Sequence, residues 1–224
     1  MRMNWNIAED TITDEQKELY IQRLCVSLIV QEPVKQPVIN FDVNKNEELL
    51  VCVNGIERQD SIYVYAKDGS FEFGLQFHQN GSFGAIWEGE DILLYRVRSD
   101  LAFLIGRNGI VKEVRPLKES SRNSMYMSTI RERIQTDEHL YIMKNKSFLL
   151  NFTSKFSMIM RTDKYGSVEM IYDASSQQER TVARWIIIGA IVFVFWSSTL
   201  VATLIVSRKF RRRMPKPFGI KPVS

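Results

Sequence analysis

Trp185 to Val206 is a run of 22 residues without a single charge, and no other feature constrains this chain as strongly. At 1.5 Å per residue a helix of that length covers about 33 Å, enough for a hydrocarbon core of about 30 Å. Thirteen of the 22 are Ile, Val, Leu or Phe. Together they favour insertion by roughly 4 to 8 kcal/mol on a bilayer-centre scale, which is an upper bound. Trp185 stands at one edge, where an indole favours the interface. Beyond Val206 come Arg208, Lys209, Arg211, Arg212 and Arg213. A buried core helix rarely has this length or ends in such a charge block. The pattern predicts a transmembrane helix over 185–206, a basic tail over 207–224 at the membrane surface, and the lipid bilayer as a partner.

That tail also explains the overall charge. The chain has 224 residues, 30 Lys plus Arg against 26 Asp plus Glu, a net charge of +4 and a pI near 9.0. Such basicity usually suggests nucleic acid. However, seven basic residues and no acidic ones lie in 208–224, which leaves 23 basic against 26 acidic over 1–207. The body is mildly acidic, so no nucleic-acid partner is expected.

Two topology signals oppose each other. The basic end places the tail in the cytoplasm and residues 1–184 outside by the positive-inside rule. The N-terminus carries no secretory signal pattern, because its best apolar run is only Leu24 to Val30, which favours a tail anchor instead. The density of charge in the tail decides for a single-pass protein with 1–184 outside.

The first 37 residues read as a helical segment and linker. Thr13-Asp14-Glu15-Gln16 matches a capping box, and the helical pattern extends to about residue 31, although part of 24–30 would equally suit a strand. Glu32-Pro33 and Gln36-Pro37 break it. From Val38 to about residue 180 the signal is β. Leu49 to Val53 is an apolar run, Phe71, Phe73, Leu75 and Phe77 alternate, and Asp68-Gly69 between alternating runs is a strong hairpin signal whose two central positions would both take positive φ.

Three segments look like one repeated unit: SIYVYAKDGSFEFGLQF, LAFLIGRNGIVKEVRPL and FSMIMRTDKYGSVEMIY. Each is an apolar strand, a polar turn ending in Gly69, Gly109 or Gly166, and a second strand. The glycines are 40 and 57 residues apart. Forty is close to a four-stranded propeller blade, and the excess matches an irregular insertion over 119–137. The expected fold is therefore mainly β: an antiparallel meander of about three propeller-like blades, an incomplete propeller. An N-terminal helix and one C-terminal transmembrane helix complete it. Complete propellers have four to eight blades, so the N-terminal helix or a partner is expected to cover an edge.

The stretch FDVN…IYVYAKDGSFEFGLQF…GSFGAIWEGEDILLYRVRSD, a D-x-x-G hairpin and the span with its basic end together resemble a group of bacterial proteins. These are uncharacterised single-pass membrane proteins with NHL- or WD-like propeller-blade hairpins. The resemblance covers about residues 38–210, though the WD dipeptide is missing here. It implies no enzymatic activity.

The chemistry-bearing residues are sparse. His78 and His139 lack the local spacing of a zinc site and read as surface or turn histidines. Cys25 and Cys52 share no motif; they would either pair or stand as apolar cysteines. Glu88, Glu90 and Asp91 cluster in one turn but lack a calcium-loop ladder. Arg96 and Arg98 form a basic strip or pair with neighbouring acids. No catalytic, cofactor-binding or metal-ligating residue is assigned, and no cofactor is expected. The sequence thus points to a membrane-anchored, non-catalytic β-domain that binds an unidentified protein partner or ligand. An accessory or structural subunit of a membrane complex is the alternative, and an enzyme with a dispersed site ranks last.

Overall fold

The computed structural model describes residues 12–55, 59–78, 81–117, 132–146 and 155–213, with 200–213 as backbone. The chain forms two compact units, 1–179 and 180–224. The first is mainly β, with three antiparallel sheets that follow one short helix among the described residues.

Helix α1 (Asp14–Leu24) starts as the capping box requires. The Gln16 amide donates to Thr13 Oγ1 (3.2 Å) and the Thr13 amide to Gln16 Oε1 (2.9 Å). The helix stops at Leu24, short of the expected residue 31. Cys25 takes a left-handed conformation (φ 49°) and its amide closes on the Ile21 carbonyl (3.1 Å). Beyond it the apolar residues are used as strand β1 (Ser27–Ile29), which pairs antiparallel to β5 (Phe71–His78). Gly74 permits this close approach: a Cβ there would meet the Tyr63 ring at 3.0 Å and Ile29 Cβ at 3.3 Å. Leu24 is fully buried, and α1 packs against β5, an interior strand of the first sheet, and against β9, an edge strand of the second.

The first sheet continues through β2 (Val38–Val43), β3 (Leu49–Val53), β4 (Gln59–Tyr65) and β5. The second comprises β6 (Phe83–Glu88), β7 (Asp91–Arg96), β8 (Leu101–Ile105) and β9 (Val111–Pro116). The third comprises β10 (Arg133–Gln135), β11 (His139–Lys144), β12 (Met158–Asp163) and β13 (Val168–Asp173). Each of these sets is an up-and-down meander of four sequential strands.

The three repeat glycines occupy one structural position, the hairpin joining the third and fourth strands of each meander. Gly69, Gly109 and Gly166 have φ of 83°, 78° and 86°. Their amides close on Ala66, Gly106 and Asp163 carbonyls, and the amides of those same three residues return to Ser70, Ile110 and Ser167 carbonyls. Asp68, Asn108 and Asp163 side chains each accept from a backbone amide within the turn. The expectation of two positive-φ positions in the Asp68-Gly69 turn is corrected: only Gly69 has one. The loop is the longer type that ends in a glycine bulge, and a separate register shift follows at Val64/Tyr65.

Alternation along the first sheet sends its side chains into two cores. Leu50, Cys52, Ile62, Val64, Leu75 and Phe77 pack with Phe83, Leu94, Phe103 and Ile105 of the second sheet. Leu49, Val51, Val53, Tyr63 and Tyr65 pack with Tyr141, Ile159 and Tyr172 of the third. The first sheet is therefore the middle layer, and the chain lays its sheets down in the spatial order second, first, third. Burial on both faces is why β3 reads as an unbroken apolar run. Strand β2 is tied to both neighbours: Val38 exchanges two backbone hydrogen bonds with Phe156 (2.8 and 2.9 Å), while the Trp87 amide donates to Asp42 Oδ2 (2.8 Å).

The expected insertion over 119–137 is shorter where it can be followed. Residues 133–135 form β10 because Ile134 alternates with Arg133 and Gln135 and pairs with Tyr141; 118–131 lie outside the described residues. The linker is likewise held. Tyr172 Oη accepts from the Gln36 amide (3.0 Å) and donates to its carbonyl (2.7 Å).

Helix α2 (Ser175–Arg213) has 39 residues, about 58 Å of helix. It contains Trp185, Val206 and the cluster Arg208, Lys209, Arg211, Arg212 and Arg213, so the helix runs unbroken through the first part of the basic tail. Its apolar side chains from Trp185 to Trp196 are exposed, and it is long and apolar enough to cross a membrane. Ser197, Ser198 and Thr199 hydroxyls donate to the carbonyls three residues back (2.8–2.9 Å), so each finds a partner within the helix.

Candidate functional site

A cleft of 440 Å³ opens between the turn joining β2 to β3 and the turn joining β10 to β11. The first turn is shaped by Asn44, whose Oδ1 accepts from the Asn46 and Glu48 amides (both 2.9 Å). That wrap leaves Glu47 in the left-handed region at φ 61°. Glu48 then points to the second sheet, pairing with Arg107, and Glu47 points to the third. The second turn is shaped by Thr136, whose Oγ1 accepts from the His139 amide (3.0 Å).

Glu47 is the centre of the cleft and its side chain is only 6% exposed. Its Oε1 sits 2.7 Å from His139 Nδ1 and accepts from Thr136 Oγ1 (2.9 Å). The carboxylate can only accept, so Nδ1 carries the shared proton. Oε2 accepts no aligned hydrogen bond, though the Lys67 ammonium lies 3.1 Å away as an ion pair. Lys67 Nζ also reaches Glu138 Oε2 at 2.7 Å. Burial pushes the Glu47 carboxyl up, but the His139 hydrogen bond, the neighbouring Lys67 ammonium and the Thr136 hydrogen bond outweigh it and hold the group below its ordinary value. Glu138 is lowered by Lys67, and Lys67 is raised by Glu138 and then Glu47. Glu47, Glu138 and His139 bring one possible metal-ligating atom each to within 4.8 Å of one another.

The expected features fare differently. His139 is no free turn histidine: 92 residues of chain separate it from the carboxylate it contacts. The run Asp137-Glu138-His139 was visible in the sequence, but nothing there indicated Glu47 as the partner. His78 is exposed at the end of β5. Cys25 and Cys52 are both free, one exposed and one buried, and burial pushes the Cys52 thiol up. The three carboxylates of the WEGED turn diverge, Glu88 to Arg115, Asp91 to Lys112 and Glu90 to Lys45, so they form no shared cation site. Burial lowers the Arg96 guanidinium. Trp185 is 68% exposed on α2.

Among the described residues the fold is mainly β, with three antiparallel sheets and one exposed helix of membrane-spanning length. No protein-family model matches the chain, and no curated protein matches it. Among solved structures, it is similar to one titled streptogramin B lyase structure, at 8% identity and a TM-score of 0.29. The alignment covers 66% of this chain and 45% of that one, so the chain spans less than half the length of that protein.

Proposed function

We propose that this chain is a single-pass membrane protein whose β-domain, built of three propeller-like blades, binds a protein partner or ligand without catalysing a reaction. The observation that carries the reading is α2. Its apolar stretch is fully exposed, and five basic residues follow within six positions. Leaving that surface in water would cost far more than inserting it. The basic end holds the tail in the cytoplasm, with residues 1–184 outside. The charged groups of the cleft are engaged with one another, as expected of a recognition surface or a structural joint. Alkaline carbonate extraction of membranes tests the anchor: the protein should stay in the pellet, and release to the supernatant would refute it.

A second reading, an accessory subunit of a membrane complex, is favoured by β13. This strand is the outer edge of the third sheet and exposes Val168 and Met170, next to an exposed Tyr165. An open apolar edge is a template for another chain. A stable monomer in mild detergent would count against this reading.

A further inference from the structure

We propose that the basic end of α2 gathers a shell of anionic phospholipid headgroups around itself in one leaflet, an inference that rests on reading α2 as a membrane span. The helix does not stop where its apolar stretch does, but runs without a break from Ser175 to Arg213. Trp185 to Val206 takes up the hydrocarbon thickness, about 33 Å of helix against about 30 Å of core. With its headgroups a bilayer is about 40–45 Å thick, so each headgroup layer is about 5–8 Å deep. Arg208, Lys209, Arg211, Arg212 and Arg213 occupy the next stretch of axis, from about 3 to about 10 Å beyond Val206. Their backbone therefore stands in and just beyond the layer that holds the lipid phosphates. Long Lys and Arg stems carry charge back along a helix toward such a layer.

Two further features favour lipid as the source of the counter-charge. At about 100° per residue the five basic positions fall within an arc of about 200°, and Val206 and Phe210 take the opposite side. Helical register thus stacks the charges at one depth, where an extended chain would carry them away from the surface. A soluble polyanion could reach that depth only by displacing headgroups. The two ends of the apolar stretch also differ in charge. Residues 207–224 contain no Asp or Glu, so no acidic side chain in this stretch offsets the five. At the other end Glu179, Arg180 and Arg184 sum to +1, and Glu179 stands 3.8 Å from Lys146. Each basic residue close to an anionic membrane surface adds its own attraction, so the attraction is concentrated at the C-terminal end of the span.

The test is electron spin resonance of the full-length protein, reconstituted from detergent into phosphatidylcholine vesicles that contain either spin-labelled phosphatidylglycerol or spin-labelled phosphatidylcholine. The immobilised fraction of label reports which lipid stands against the helix. Phosphatidylglycerol should be favoured by about fivefold at low salt. The preference should fall close to unity at about 1 M salt, where the screening length is about 3 Å. Changing Arg208→Gln, Lys209→Gln, Arg211→Gln, Arg212→Gln and Arg213→Gln together should abolish it, while Arg180→Gln with Arg184→Gln should leave it unchanged. If the combined variant fails to reconstitute, the salt titration of the parent still decides. Alkaline carbonate extraction of the same vesicles reads the anchor separately. Equal immobilisation of the two lipids by protein that resists extraction would overturn the proposal and leave the anchor standing, whereas release on extraction would overturn both. A preference that persists at about 1 M salt or in the combined variant would also overturn the proposal.

Discussion

The two faces of the first sheet are built from the same strands and do different work. The face toward the second sheet is a dry core of Leu, Ile, Val and Phe, sealed by Leu24 of α1. The face toward the third is rich in tyrosine: Tyr65 meets Tyr172 edge to face at 5.6 Å, and Lys35 lies over both rings. Its rim holds the Glu47–His139–Lys67 cluster. Apolar packing tolerates no gap but asks nothing of its partner's chemistry. Phenol and carboxylate groups must find specific partners once buried. The first interface is therefore held by apolar packing, and the second adds specific polar contacts around a cleft.

The largest effect should come from the dry face. Phe103 is fully buried there, and Phe103→Ala should cost about 3–5 kcal/mol in denaturant unfolding. A loss below about 1 kcal/mol, within the range of tolerated volume-conserving swaps, would erase the contrast between the faces. On the tyrosine face, Tyr172→Phe keeps the ring and removes a hydroxyl that bonds both backbone groups of Gln36. The expected loss is about 1–2 kcal/mol, with faster amide exchange at Gln36. The three hairpin glycines give a finer check. Each stands at positive φ with open space or ordinary contact distances around the missing Cβ. Gly69→Ala, Gly109→Ala and Gly166→Ala should therefore cost similar amounts, about 1 kcal/mol apiece. Unequal costs would mean the three turns are not equivalent.

The smallest effect concerns Asp60, whose carboxyl is raised by burial although the Gly55 amide donates to it (3.1 Å). A carboxyl raised in the folded state holds its proton longer than in the unfolded chain, so stability falls as pH rises from about 4 through the folded value. Asp60→Asn keeps an acceptor for Gly55. The variant should be more stable than the parent at neutral pH, and the two should converge below about pH 4. Melting curves across pH read this directly.

Sequence patterns revealed much of the dry face and little of the polar one. The three Gly-ended hairpins were legible because positive φ leaves a local residue signature. The apolar run Leu49–Val53 marked a strand buried on both sides. The end of α1 stayed ambiguous because 24–30 suits a helix or a strand locally, and only the pairing of Ser27–Ile29 with β5 decides for the strand. Similarly, β10 is three residues long and two of them are polar, so only its partner β11 defines it. The cleft was hidden for a physical reason: Glu47 and His139 meet through the stacking of two sheets, and no local spacing encodes a contact across 92 residues.

That α2 anchors the β-domain at a membrane with its basic end inside is tested most directly by protease treatment of intact cells carrying a tag after Met1. External protease should remove the tag and digest residues 1–184 while the basic end stays protected. Full protection of the tag until the membrane is opened would contradict it.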